Sequence, residues 1–216
     1  MLTNQQILEK AIAALSSEYF DVRCQTLEMF KKELNIINAS EGKPASIKAL
    51  VKIAYETFEQ CNKNYHESLA GTMKDAEGNL IVTNTHYIIR PADKELFKAL
   101  PQALNPVNAD NISRIIAEAA ATRSVETNVT LNKKPFLSMC RLHKKAELVK
   151  IKDRYFSIDY IKRFFKASNT LTFYLGKKQY YPTYVVAENF DAVLTECRHK
   201  GEDGALVLKW EHEEVK

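Results

Sequence analysis

Several things are missing from this sequence, and each absence excludes a class of protein. No run of eighteen apolar residues occurs in the 216 positions, whereas a membrane-spanning helix needs about twenty. No basic-then-apolar leader follows Met1, so the expectation is a cytoplasmic chain without a membrane span. The patterns GxSxG, GxxxxGKS or GxxxxGKT, and GxGxxG are absent, which removes the common nucleophile elbow and the common phosphate-cradling loops. Four cysteines, Cys24, Cys61, Cys140 and Cys197, lie far apart with no CxxC among them. They read as reduced thiols rather than a disulfide framework.

What is present suits an ordinary globular chain of one domain with an appendage, since 45% of residues are hydrophobic and a core is easily filled. Charge is unevenly placed. Residues 131–166 hold eleven Lys or Arg (133, 134, 141, 144, 145, 150, 152, 154, 162, 163 and 166) against Glu147, Asp153 and Asp159, a local net of +8 in a chain whose total is +4. The remainder is therefore close to −4.

That basic stretch lies within the part of the chain with the clearest periodicity, residues 126–188. TNVTL alternates as a strand, 133–145 fits a helix, LVKIKDRYF alternates again, 157–167 fits a second helix, and two strand-like runs follow, an order β-α-β-α-β-β. At about 100° per residue the first helix puts Phe136, Met139, Cys140 and His143 on one face and Lys134, Ser138, Arg141 and Lys145 on the other. The second puts Ile158, Ile161, Phe164 and Phe165 inward and Asp159, Lys162, Arg163 and Lys166 outward. Two basic outer faces side by side would suit a polyanion, although Lys-rich faces also serve simply to keep a domain soluble.

Earlier in the chain, Thr3 and Gln6 form a capping signal. A stripe of Ile7, Leu8, Ala11, Ile12 and Leu15 and a second of Val22, Leu27, Phe30, Leu34 and Ile37 predict a helical hairpin. NASEGKPAS at 38–46 is the expected boundary, giving a helical element at 1–42 and an α+β domain at 46–212. Ser46 is expected to cap a third helix ending near Asn62, followed by strands at 65–73 and 80–90 across the turn formers KDAEGN. A proline-bearing connector comes next, then a helix capped by Asp110.

The run LAGTMKDAEGNLIVTNTHYIIRPAD after the helix from Ile47, with DRYFSIDYIKRFFKA, TFYLGKKQYYPTYVV and GALVLKW later, resembles one domain of the bacterial DNA sliding clamp, the beta subunit of DNA polymerase III. Gly71, Thr83 and His86 match the family's glycine and its Thr-Asp-Gly-His-Arg-like signature, while Asn84, Thr85 and Tyr87 replace the Asp, Gly and Arg. The resemblance covers residues 46–210. It implies a clamp-like fold, helices on one side of a largely antiparallel sheet, and DNA-facing cations at Lys134, Arg141, Lys145, Lys162, Arg163 and Lys166.

Other chemistry is weakly supplied. Cys140 with His143 and Cys197 with His199 are zinc-capable pairs of unusual spacing, and His86 has no nucleophile or paired carboxylate at a recognisable spacing. Tyr174, Tyr180, Tyr181 and Tyr184, interleaved with Lys177 and Lys178, suit either sheet packing or base stacking, and Pro182 argues for an edge or bulged strand. The expectation is a non-enzyme without cofactor or metal. As an accessory factor it would touch the backbone of double-stranded DNA with no base readout. The alternative is a protein-interaction module that has lost DNA, docking a protein partner or a second copy through residues 1–40 or the edge at 180–186.

Overall fold

The structure, a computed structural model, describes residues 6, 10, 11, 13, 20–104, 108–124, 128–176, 181–199 and 207–210. Among them are five α-helices: α1 Phe20–Ser40, α2 Ala45–Lys63, α3 Ala109–Ala120, α4 Lys133–Leu142 and α5 Ile158–Phe164. Ten strands accompany them: β1 Met73–Lys74, β2 Leu80–Thr83, β3 Tyr87–Pro91, β4 Asn128–Asn132, β5 Leu148–Ile151, β6 Arg154–Ser157, β7 Thr170–Tyr174, β8 Thr183–Ala187, β9 Phe190–Leu194 and β10 Val207–Trp210. The chain is α+β.

The main sheet has seven strands in the order β1-β2-β3-β9-β8-β7-β4, and each neighbouring pair is antiparallel. Its first three strands come from the first half of the chain and its last four from the second, joined where Tyr87–Pro91 pairs with Phe190–Leu194. A second sheet, β10-β5-β6, stands apart.

Period-2 alternation divides the main sheet's side chains between two cores. On one side Met73, Ile81, Ile88, Tyr184 and Val193 meet Ile112, Ile116 and Ala119 of α3. On the other, Val82, Ile89, Leu131, Phe173 and Leu194 meet α2, α4, α5 and the small sheet in the larger cluster. The expectation of helices on one side therefore holds for α2, α4 and α5 and fails for α3. The reason lies in β2, buried at all four positions, and in β3, where Ile88 and Ile89 are both buried and point to opposite faces. A sheet apolar on both faces must be covered on both.

Local chemistry explains the other departures. LVKIKDRYF is a hairpin rather than one strand, with Ile151 opposite Arg154 and Lys152 turned to φ 55. Residues 80–90 are likewise broken: the Asn84 side chain accepts from the backbone N–H groups of His86 (2.8 Å) and Tyr87 (2.9 Å), an Asx turn that takes His86 out of any strand. Residues 65–73 are mostly turn and 3-10 helix, with only Met73–Lys74 extended. The KDAEGN turn forms as expected, with Asp75 Oδ1 accepting from the Glu77 and Asn79 N–H groups and Gly78 at φ 80.

Helix starts shift as well. Pro44 and Asn108, rather than Ser46 and Asp110, hold the cap positions of α2 and α3, and the Asn108 side chain accepts from Asp110 N–H. Gly71 sits where an added Cβ would lie 2.3 Å from the Ala103 nitrogen, so only glycine lets Thr72 exchange hydrogen bonds with Pro101 and Ala103. Strand β8 is central, between β7 and β9; Pro182 precedes it, which corrects the expected edge at 180–186. The first helix of the hairpin lies outside the described residues apart from 6, 10, 11 and 13, which are helical.

Helix α1 runs three residues beyond the expected Ile37 and turns Ile36 into the large core. Its apolar stripe faces the other way: Leu27 (54%), Leu34 (57%), Val22 and Ile37 are exposed. No helix among the described residues is long and apolar enough to cross a membrane.

Candidate nucleic-acid interface

Helix α4 starts with Lys133 N–H bonded to the Asn169 carbonyl at 2.9 Å, and Pro135 falls in its first turn, where a missing N–H costs nothing. Phe136 and Cys140, one turn apart, are buried, Phe136 against Phe165 of the α5 end at 5.3 Å and Trp210 at 5.9 Å. The helix ends at Leu142, and His143 takes the cap at φ −114, ψ 59. His143, expected inward, is thus carried out of the helical period and is exposed.

Lys145 lies in the following turn rather than on the helix. Lys134, Arg141, Lys144 and Lys145 are all exposed, and among the described residues none has a carboxylate within ion-pair distance. Arg141 is in the last turn, where the carbonyl end of the helix itself favours a cation.

Helix α5 presents its charges differently. Ile158, Ile161 and Phe164 are buried as expected, but the basic side chains turn onto α2. Arg163 Nη1 donates to Tyr87 OH at 2.6 Å and to Gln60 Oε1 at 3.1 Å; its Nε lies 3.8 Å from Glu56 Oε2. Lys166 Nζ is 3.0 Å from both Glu56 oxygens. Lys162 is half-buried and sits near enough to Cys140 to favour its thiolate, although burial outweighs this and pushes the thiol up. So Lys134, Arg141 and Lys145 stand exposed, Arg163 is held by α2 and Tyr87, Lys166 is held by α2, and Lys162 is half-buried near Cys140.

Other cations of the basic stretch are also occupied. The Arg154 side chain, 3% exposed, pairs with the Glu196 side chain, 2% exposed, and donates to the Gly176 carbonyl. Lys150 lies over the Tyr155 ring at 5.6 Å. Sequence reasoning missed Glu56, Gln60 and Tyr87; α2's helical pattern places Glu56 and Gln60 on one side, four residues apart, but nothing local signals what they meet.

The zinc-capable pairs do not converge. Cys140 is buried and His143 exposed, the His199 ring packs on Tyr155 at 4.8 Å, and no group of three metal-ligating side chains forms among the described residues. The four cysteines are unpaired. His86 is exposed in its turn and stacks on Tyr160 at 5.4 Å.

Of the tyrosine set, Tyr184 is buried and donates to Asp191 Oδ2 at 2.8 Å, while Arg123 lies over both Tyr174 and Tyr184 at 5.7 and 5.6 Å. These rings are sheet packing. Tyr180, Lys177 and Lys178 lie outside the described residues. Compared with models of known protein families and with curated proteins, the chain matches none.

Proposed function

We propose that the chain is a non-catalytic, DNA-associated accessory factor with a sliding-clamp-like domain, contacting the phosphate backbone through α4 and the turn after it. One observation carries the reading: Lys134, Arg141, Lys144 and Lys145 are exposed along one short stretch without a carboxylate partner among the described residues. Such cations can release condensed counterions from duplex DNA, a gain that is independent of sequence. Three of the four cations are lysines, point charges that suit backbone phosphate rather than base readout. The test is duplex affinity at several salt concentrations. Log K should fall with log salt at about −0.9 per phosphate neutralised, equally for unrelated sequences, with Kd of roughly 10⁻⁴ to 10⁻⁶ M at physiological salt.

A second reading is favoured by α1. Leu27 and Leu34, one seven-residue step apart, are more than half exposed on the side away from Ile36, a seam suited to another helix. On this reading the domain is an interaction module that docks a protein partner or a second copy through residues 1–40. A chain whose binding shows no salt dependence, and whose L27E/L34E variant loses a concentration-dependent self-association seen by sedimentation, would favour it over DNA.

A further inference from the structure

We infer that Glu56 withholds Lys166 from any polyanion that binds the basic surface, acting as a built-in competitor for that cation; the inference rests on the DNA reading above. Lys166 has both Glu56 oxygens at 3.0 Å. The carboxylate is itself held in place, since Arg163 approaches it at 3.8 Å while Arg163 is fixed by Tyr87 OH and Gln60. Arg163 thus favours keeping Glu56 on the α2 side of the pair when Lys166 swings outward. A phosphate approaching the turn after α5 meets a neutralised ammonium and, behind it, an anion that repels it.

Exposure makes this exchange reversible rather than structural. The side chain of Lys166 is 51% exposed and that of Glu56 23%, so the pair is worth little to the fold. Arg163 differs, because its contacts to Tyr87 and Gln60 persist when Glu56 is neutralised. Removing the charge at 56 thus releases one cation, not two.

The experiment is anisotropy of a labelled DNA duplex across a salt series with the wild type, K134Q, K166Q, E56Q and E56Q/K166Q, each checked for an unchanged melting temperature. Expected: E56Q binds about three- to tenfold tighter at low salt and steepens the log K slope by about 0.9. K166Q leaves the wild-type slope unchanged and abolishes the gain in E56Q/K166Q. A K166Q slope reduced as much as that of K134Q overturns the inference, because Lys166 would already be reaching phosphate. So does an unchanged slope in E56Q while K134Q weakens binding, an outcome that leaves the α4 reading intact. Lys166-dependent binding by E56Q alone, with none by the wild type, supports the inference and defeats the α4 reading. Absence of binding by every variant defeats both.

Discussion

The two basic helices look alike in sequence and differ in the fold. Residues 133–146, covering α4 and its turn, carry five cations and no acid, and Lys134, Arg141, Lys144 and Lys145 stand free of carboxylates among the described residues. Helix α5 and the turn after it carry Lys162, Arg163 and Lys166, but Glu56 from α2 takes two of them and Asp159 lies on the same helix. Formal charge along the chain is therefore a poor guide to the field a partner meets. A cation acts outward only where no buried or neighbouring acid has claimed it.

The sharpest way to separate claimed from unclaimed cations is to remove one that the interior holds. Arg154→Met should destabilise by about 3–5 kcal/mol in chemical denaturation, because Glu196 is left as a buried charge without its arginine. The double variant R154M/E196L should recover much of the loss.

Next in size is the anchor of Arg163. Tyr87→Phe removes the hydroxyl shared with Thr57 at 2.7 Å and Arg163 at 2.6 Å and should cost about 1–3 kcal/mol. The same region should fail at alkaline pH. Burial raises Tyr87 and Tyr160 above the ordinary tyrosine value of 10.0, so their contribution is complete below pH 10 and is lost as pH rises further, where the unfolded chain ionises first. Melting temperature measured between pH 8 and 11 should fall across the upper end and fall less in Y87F.

The smallest effect on folding belongs to α4. K134Q/R141Q/K145Q should change stability by no more than about 0.5 kcal/mol while flattening the DNA salt slope by about 2.7. If that variant melts as badly as R154M, the cations of α4 and its turn are claimed by the fold as Arg154 is, and the comparison fails.

How much of this was legible in sequence depends on the range of the interaction. Most of the inward faces of α4 and α5 followed from spacing, since Phe136 with Cys140 and Ile158 with Ile161 and Phe164 repeat at helical period, while His143 did not because the helix stops at Leu142. Residues 128–131 of TNVTL are strand with Val129 and Leu131 buried, as the alternation implied, and Thr127 lies outside the described residues. LVKIKDRYF misled because its turn residues Lys152 and Asp153 are polar like the outward positions, while the turn moves the buried phase from Val149 and Ile151 to Arg154 and Phe156. At TNTHY the turn depends on one Asn side chain reaching two backbone N–H groups.

The site was half legible for the same reason. Exposed Lys134 and Arg141 follow from helix geometry, but Lys166 meets an acid 110 residues away in sequence, and Arg154 meets one 42 away. No local pattern encodes those distances.

The join between β3 and β9 fixes when this fold becomes possible at all. Residues 87–91 find their outer neighbour only in residues 190–194, about a hundred positions later. During synthesis the first three strands and α2 must wait, with one edge of β3 unpaired, until nearly the whole chain has emerged. Such late pairing slows folding and leaves an edge open to the wrong partner meanwhile. A fragment ending before residue 190 keeps Tyr87 and Ile89 without the strand that completes their sheet. The halves of this chain are thus not separable units, and a truncation meant to isolate the basic helices would expose β3 instead.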